Sequence, residues 1–200
     1  RLTGNLDNNG TLTMTDGRLE MNGSTAQNIS SVHTLEMDEM KLQNSAGCTL
    51  MDSVRIRDYY MPTSGTLTTN SKLILKSTST RTGRIDIGSS SGNYISGNVW
   101  LQRYIPGGRR AYRFFSHPFT TSIPLSQLTD DIDITGSGGS ANGFTTVAVN
   151  SPSAFWFDVT TADTTTTGNN PGWKDFTSAT TASWDRYEMA RIMCRGSKGQ

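Results

Sequence analysis

Two cysteines, two histidines and six prolines are all that 200 residues contain of those types, and opposite charges nearly cancel at +1. Each scarcity excludes something. Cys48 and Cys194 lie in different halves, so no disulfide framework is present and a single bridge would have to join distant segments in one narrow geometry. Cys48 falls on an inward strand position, where a free thiol acts as a small hydrophobe. With His33 and His117 the only imidazoles, a Cys/His metal centre is not expected. The basic residues form no massed run, which leaves nucleic acid without an electrostatic footprint. No stretch approaches the roughly 20 apolar residues of a transmembrane helix. The chain opens on Arg1-Leu2-Thr3-Gly4, a strand-and-turn pattern rather than a signal peptide, and the expectation is a piece of a longer or processed protein.

Helical stripes are also scarce. The hydrophobic fraction is 34% and the mean hydropathy -0.46, low for a helical globule. Thr, Ser, Asn and Gly fill the gap, residues suited to exposed strand faces and to turns with positive φ. The length allows one large or two small domains, and the composition predicts an all-β chain.

The most informative positive feature is a faint repeat. Gly10-Thr11-Leu12-Thr13, Gly47-Cys48-Thr49-Leu50, Gly65-Thr66-Leu67-Thr68 and Gly83-Arg84-Ile85-Asp86 start at intervals of 37, 18 and 18 residues. A second apolar column, Leu19, Met37, Ile56 and Leu73, keeps nearly the same beat. A fixed short period with alternating apolar residues predicts a short β-solenoid, β-helix-like, over residues 1–97, with coils of about 18 residues and about five turns. From Asn98 the character changes to dense aromatics interleaved with arginine: Trp100, Tyr104, Tyr112, Phe114, Phe115 and Phe119 with Arg103, Arg109, Arg110 and Arg113. Such density predicts a conventional core around Phe114 and Trp156. A β-sandwich-like domain, whole or cut short at its C-terminus, is the simplest container over 98–200.

At this junction the segment Arg103-Tyr104-Ile105-Pro106-Gly107-Gly108-Arg109-Arg110-Ala111-Tyr112-Arg113-Phe114 resembles the "RYIPAGRRAYRFL" stretch of large secreted surface proteins of Bacteroidetes. Upstream, Asn22-Gly23-Ser24-Thr25-Ala26-Gln27-Asn28-Ile29-Ser30 resembles that family's "LNGSTAQTIS" repeat. The resemblance implies extracellular or outer-surface display through type IX secretion machinery. It also implies a structural or adhesive role beside neighbouring domains of a longer chain, with no catalytic residues carried over.

Candidate chemistry is weighed against plainer readings. Gly88-Ser89-Ser90-Ser91-Gly92 has the bare form of a nucleophile elbow, but a strand rather than a helix comes next and a flexible turn is preferred. Asp130, Asp131 and Asp133 beside a Gly/Ser loop offer oxygen ligands for Ca²⁺, without EF-hand spacing, so a solvated acidic loop is the alternative. Arg103, Arg109 and Arg110 with Tyr112 suit an acidic glycan, or pair and stack structurally. Trp173, like Trp156 and Trp184, is a sugar platform or a core residue. Glu36, Asp38 and Glu39 lie in one coil and read as a charged rim rather than a hydrolytic pair. Ser53 and Thr164 sit in short motifs, Asp52-Ser53-Val54 and Asp163-Thr164-Thr165, resembling O-glycosylation acceptors of that phylum.

Together these features predict a non-catalytic structural or adhesive segment of a larger surface protein. The first alternative is a carbohydrate-binding or carbohydrate-active module that takes surface glycans. The second is a self-assembling filament subunit.

Overall fold

The computed structural model describes residues 1–88, 94–108, 110–145, 151–162 and 171–195. The chain divides into two compact units, Arg1–Pro106 and Gly107–Gln200. It is all-β: a β-solenoid of about four turns, followed by a separate antiparallel sheet.

In the first unit short and long strands alternate along the chain: β1 (Leu6–Asn8), β2 (Thr13–Met21), β3 (Gln27–Ser31), β4 (Leu35–Gln43), β5 (Cys48–Leu50) and β6 (Val54–Ser64). Then come β7 (Leu67–Thr68), β8 (Leu73–Leu75), β9 (Arg84–Ile85), β10 (Ile95–Ser96) and β11 (Val99–Leu101). The short strands stack in parallel as β1-β3-β5-β7-β10, and the long ones as β2-β4-β6-β8-β11, with β9 paired to the far half of β6. Period-two alternation sends every second side chain inward. Thus Ile29 stacks on Leu50, Met37 on Ile56 and Val54 on Leu73, and Met21, Met40, Leu42, Tyr60 and Leu67 complete a closed core. Each buried Leu, Ile or Met contributes about 1.5–3 kcal/mol over leaving it in water.

The pitch is longer than the expected 18 residues. Leu35, Val54 and Leu73 step by 19, Ile29 to Leu50 by 21, Leu6 to Ile29 by 23 and Leu67 to Ile95 by 28. The glycines misled because they occupy different places in the corners. Gly47 directly precedes β5, whereas Gly65 stands two residues ahead of β7; both have left-handed φ, +87 and +79. A Cβ on Gly65 would lie 1.8 Å from the Asn44 carbonyl oxygen, so the corner itself demands glycine. The second column shifts likewise: Leu19 stacks on Met40, and Ile56 on Leu75 rather than Leu73. Leu12 is exposed and belongs to no column. Because β11 pairs with β8, Val99–Leu101 completes the solenoid, and the unit runs on to Pro106 instead of stopping at 97.

The second unit holds β12 (Ala111–Phe115), β13 (Ala154–Phe157), β14 (Trp173–Asp175) and β15 (Ala190–Cys194), ordered β12-β15-β13-β14 and antiparallel throughout. Ala154, Ala190, Ile192 and Cys194 supply the buried face, and loop residues Leu125, Ile134, Phe144, Phe176 and Trp184 are buried as well. Among the described residues this single sheet with its loop segments makes up the sandwich-like part. Phe114 does not sit in the core. It faces the opposite way and is 59% exposed.

Candidate functional site

Strand alternation builds the second unit's open face. Register places Phe114, Arg191, Phe155 and Asp175 in one row across β12, β15, β13 and β14. Tyr112 and Met193 form the row on one side, Phe157 and Trp173 the row on the other. The rings meet edge-on or tilted: Tyr112 to Phe155 at 6.2 Å, Phe157 to Trp173 at 5.1 Å and Phe114 to Trp173 at 6.2 Å between centroids. Since Phe114 and Trp173 stand on opposite edges of the sheet, that last contact means both lean over the two strands between them, β15 with Arg191 and β13 with Phe155.

The Arg191 guanidinium lies 4.2 Å from the Trp173 ring centroid, 4.7 Å from Tyr112 and 4.9 Å from Phe155. Three ring faces hold a cation by their quadrupoles. Among the described residues no carboxylate comes within 4.0 Å of it. Its Nε is buried without a hydrogen-bond partner, and no hydrogen bond joins Nη1 or Nη2 to a described residue. Beside this cage Phe157, Val159, Trp173, Glu188 and Met189 line an open, largely apolar concavity of about 600 Å³. Asp158, between Phe157 and Val159 in the chain, is held down at about 2, chiefly by hydroxyl hydrogen bonds from Thr160 and Thr161 and the Thr160 amide.

The residues singled out from sequence distribute unevenly. Tyr112 and Trp173 come together on this face, through Arg191. Arg103 belongs to the first unit, exposed, with its Nη1 donating to the Gln102 carbonyl at 2.7 Å. Arg110 is exposed just before β12. Arg109, Thr164 and Ser89–Ser91 lie outside the described residues. Asp130 and Asp131 are exposed and Asp133 half-buried, and among the described residues no three metal-ligating side chains converge. Ser53 is half-buried, its carbonyl accepting from the Leu35 amide, and the neighbouring Asp52 carboxylate accepts from the Ser31 amide at 3.0 Å. Trp184 is buried against His117, 5.0 Å between centroids, and is a core residue rather than a platform. Cys48 and Cys194 are both buried and free; burial pushes the Cys48 thiol up to about 11.

A second cluster lies on the solenoid, where the long strands carry irregularities one above another. Asp38 alone on β4 faces Thr15–Gly17 of β2 and Arg57–Asp58 of β6, and the next coil opens into an excursion from Lys76 to Gly83 between β8 and β9. Asp38 is therefore no rim residue: it is 3% exposed, beneath Arg57 at 2.7 Å and Arg81 at 2.6 Å. Both nitrogens are at ion-pair distance from Oδ1. The Asp16 amide donates to Oδ2. Burial works to raise the Asp38 carboxyl, but Arg81, the Asp16 amide and the charge of Arg57 outweigh it and hold it below the usual aspartate value. Glu36 pairs with Lys76 at 2.8 Å and Glu39 with Arg18 at 2.7 Å. The open notch here, about 320 Å³, is lined by four carboxylates and two cations, and with Arg57 and Arg84 beside them every one of these carboxylates has an ion-pair partner.

Arg191, Phe155 and Phe157 were missed from sequence. Their signal was alternation: in Ala154-Phe155-Trp156-Phe157 and Ala190-Arg191-Ile192-Met193-Cys194 the odd-numbered positions share a face once the strands are paired. The chain matches no protein-family model, no curated protein and no solved structure.

Proposed function

We propose that this chain is a non-catalytic structural and adhesive segment of an extracellular surface protein, with the solenoid as scaffold and the open face of the antiparallel sheet as its contact surface. The single observation that carries the reading is the aromatic face around Arg191, which leaves the Tyr112 and Phe114 rings exposed and a half-buried cation without a carboxylate partner among the described residues. The solenoid notch, by contrast, has spent its charges internally. The resemblance to secreted Bacteroidetes surface proteins supports the extracellular setting and the presence of neighbouring domains. The test is retention of protein-coated beads on polysaccharide- and protein-coated surfaces under flow. Wild-type beads should be retained, and Trp173→Ala should lower the apparent affinity by about tenfold, as expected for truncating a buried aromatic anchor. Equal retention of the two proteins on every surface sinks the proposal.

One observation favours carbohydrate as the contacted material. The concavity lined by Phe157, Val159 and Trp173 has the mixed apolar wall and polar edge, at Glu188, onto which a pyranose C–H face stacks.

A further inference from the structure

We infer that the aromatic face is a site for a carboxylate-bearing sugar, with Arg191 as the anchor of a uronic acid unit and Trp173, Phe157 and Val159 as the wall for the adjoining ring. The inference rests on the carbohydrate reading and names its ligand class.

Unbalanced charge points to the carboxylate. All ten ion pairs found among the described residues join groups between Arg1 and Arg84. The second unit keeps Arg191 in a cage of three rings, with no carboxylate paired to it among the described residues. Two acids of the second unit do not fill the role. Asp175 stands one strand beyond Phe155 in the same row, and Glu188 lines the concavity, yet neither lies within ion-pair distance of the guanidinium. Held among three ring faces, with Nε buried and no hydrogen bond from Nη1 or Nη2 to a described residue, the guanidinium keeps the flat donor fork that a carboxylate accepts in bidentate fashion. A neutral sugar would leave that fork facing hydroxyls. A uronate satisfies it while its ring stacks in the concavity beside Trp173.

An acidic peptide carries the same carboxylate but offers no rigid apolar ring face to the wall, so it is kept as a competing outcome. The experiment is calorimetric titration of the full chain with polygalacturonate, with the same polymer after its carboxylates are reduced to primary alcohols, and with polyglutamate. Polygalacturonate should bind at least about tenfold tighter than its reduced form, and added salt should narrow the gap. Arg191→Gln should abolish the difference between the two polymers, and Arg191→Lys, which keeps charge but not the fork, should retain part of it. Arg186→Gln, on an exposed arginine stacked on its neighbour Tyr187, is the control and should change nothing. The two wild-type titrations decide the matter even if an Arg191 variant fails to fold. Equal binding of polygalacturonate and its reduced form overturns the anchor role and leaves the carbohydrate reading standing. Binding of neither overturns both. Polyglutamate binding as tightly as polygalacturonate overturns the sugar in favour of an acidic polypeptide.

Discussion

Asp38 breaks the pattern of its own strand, whereas Arg191 keeps the alternation of β15. Asp38 follows Met37 with both buried, where alternation would send one of them to solvent. It is tolerated because Arg57 and Arg81 arrive from other coils to neutralise it. Asp38→Asn removes the negative charge and leaves two guanidiniums gathered over a neutral amide. The expected cost is about 3 kcal/mol, at the low end for losing one partner of a buried pair because Arg81 is partly solvated. A urea titration checks this, and an unchanged midpoint would mean that the pairing stabilises nothing. Neither Asp38 nor Arg191 was legible as a special residue. The partners of Asp38 are 19 and 43 positions downstream, and those of Arg191 come from three other strands, so no local window contains either constellation. Trp173 and Tyr112 were legible because large aromatics are conspicuous singly in the sequence.

Strands and corners show where reading the sequence succeeds and where it slips. Alternating pairs such as Leu35/Met37, Val54/Ile56 and Leu73/Leu75 were recognisable because an inward period of two is imposed residue by residue. The coil length was not, since corners of unequal length and the excursion from Lys76 to Gly83 add residues without adding rungs. The expected end of the solenoid falls too early for a related reason. Val99-Trp100-Leu101 has the aromatic look of the second unit, but its register is with Leu73, Ile74 and Leu75. Val99 and Leu101 pack against the solenoid core and cover the last rung. A fragment ending at residue 97 therefore loses β11 and bares the edge of β8, while one ending at 106 keeps both. The longer fragment should be the more stable by at least about 2 kcal/mol, the worth of two partly buried aliphatic side chains. It should also stay monomeric at concentrations where the shorter one associates through its open edge. Sedimentation of the two fragments checks this, and identical behaviour would mean that β11 contributes nothing to the solenoid.

Across the whole molecule the two units keep different stabilising chemistry, and acid should separate them. The solenoid combines its apolar column with carboxylates tied to cations. Asp38 and Glu20 both sit below their ordinary values of 3.8 and 4.5, although burial opposes the shift in each, because Arg81 and Arg57 act on the first and Arg1 and Lys41 on the second. A carboxyl whose folded value is lowered binds its proton more readily in the unfolded chain. Its stabilisation is complete above the ordinary value and is lost as pH falls through the folded one. The solenoid should therefore weaken progressively below about pH 4.5. In the second unit no ion pair is found among the described residues, and the one carboxylate with a clear shift is Asp158, tied at about 2 to its own loop. Trp156, Trp173 and Trp184 report on that unit, whereas Trp100 is the solenoid's one tryptophan and is exposed. On acid titration, ellipticity from the parallel ladder should fall at a higher pH than the near-ultraviolet tryptophan signal, leaving an interval in which the sheet persists beside an unfolded solenoid. Coincident loss of the two signals, or loss of the tryptophan signal first, would mean that the ion pairs on the coils are not what holds them in acid.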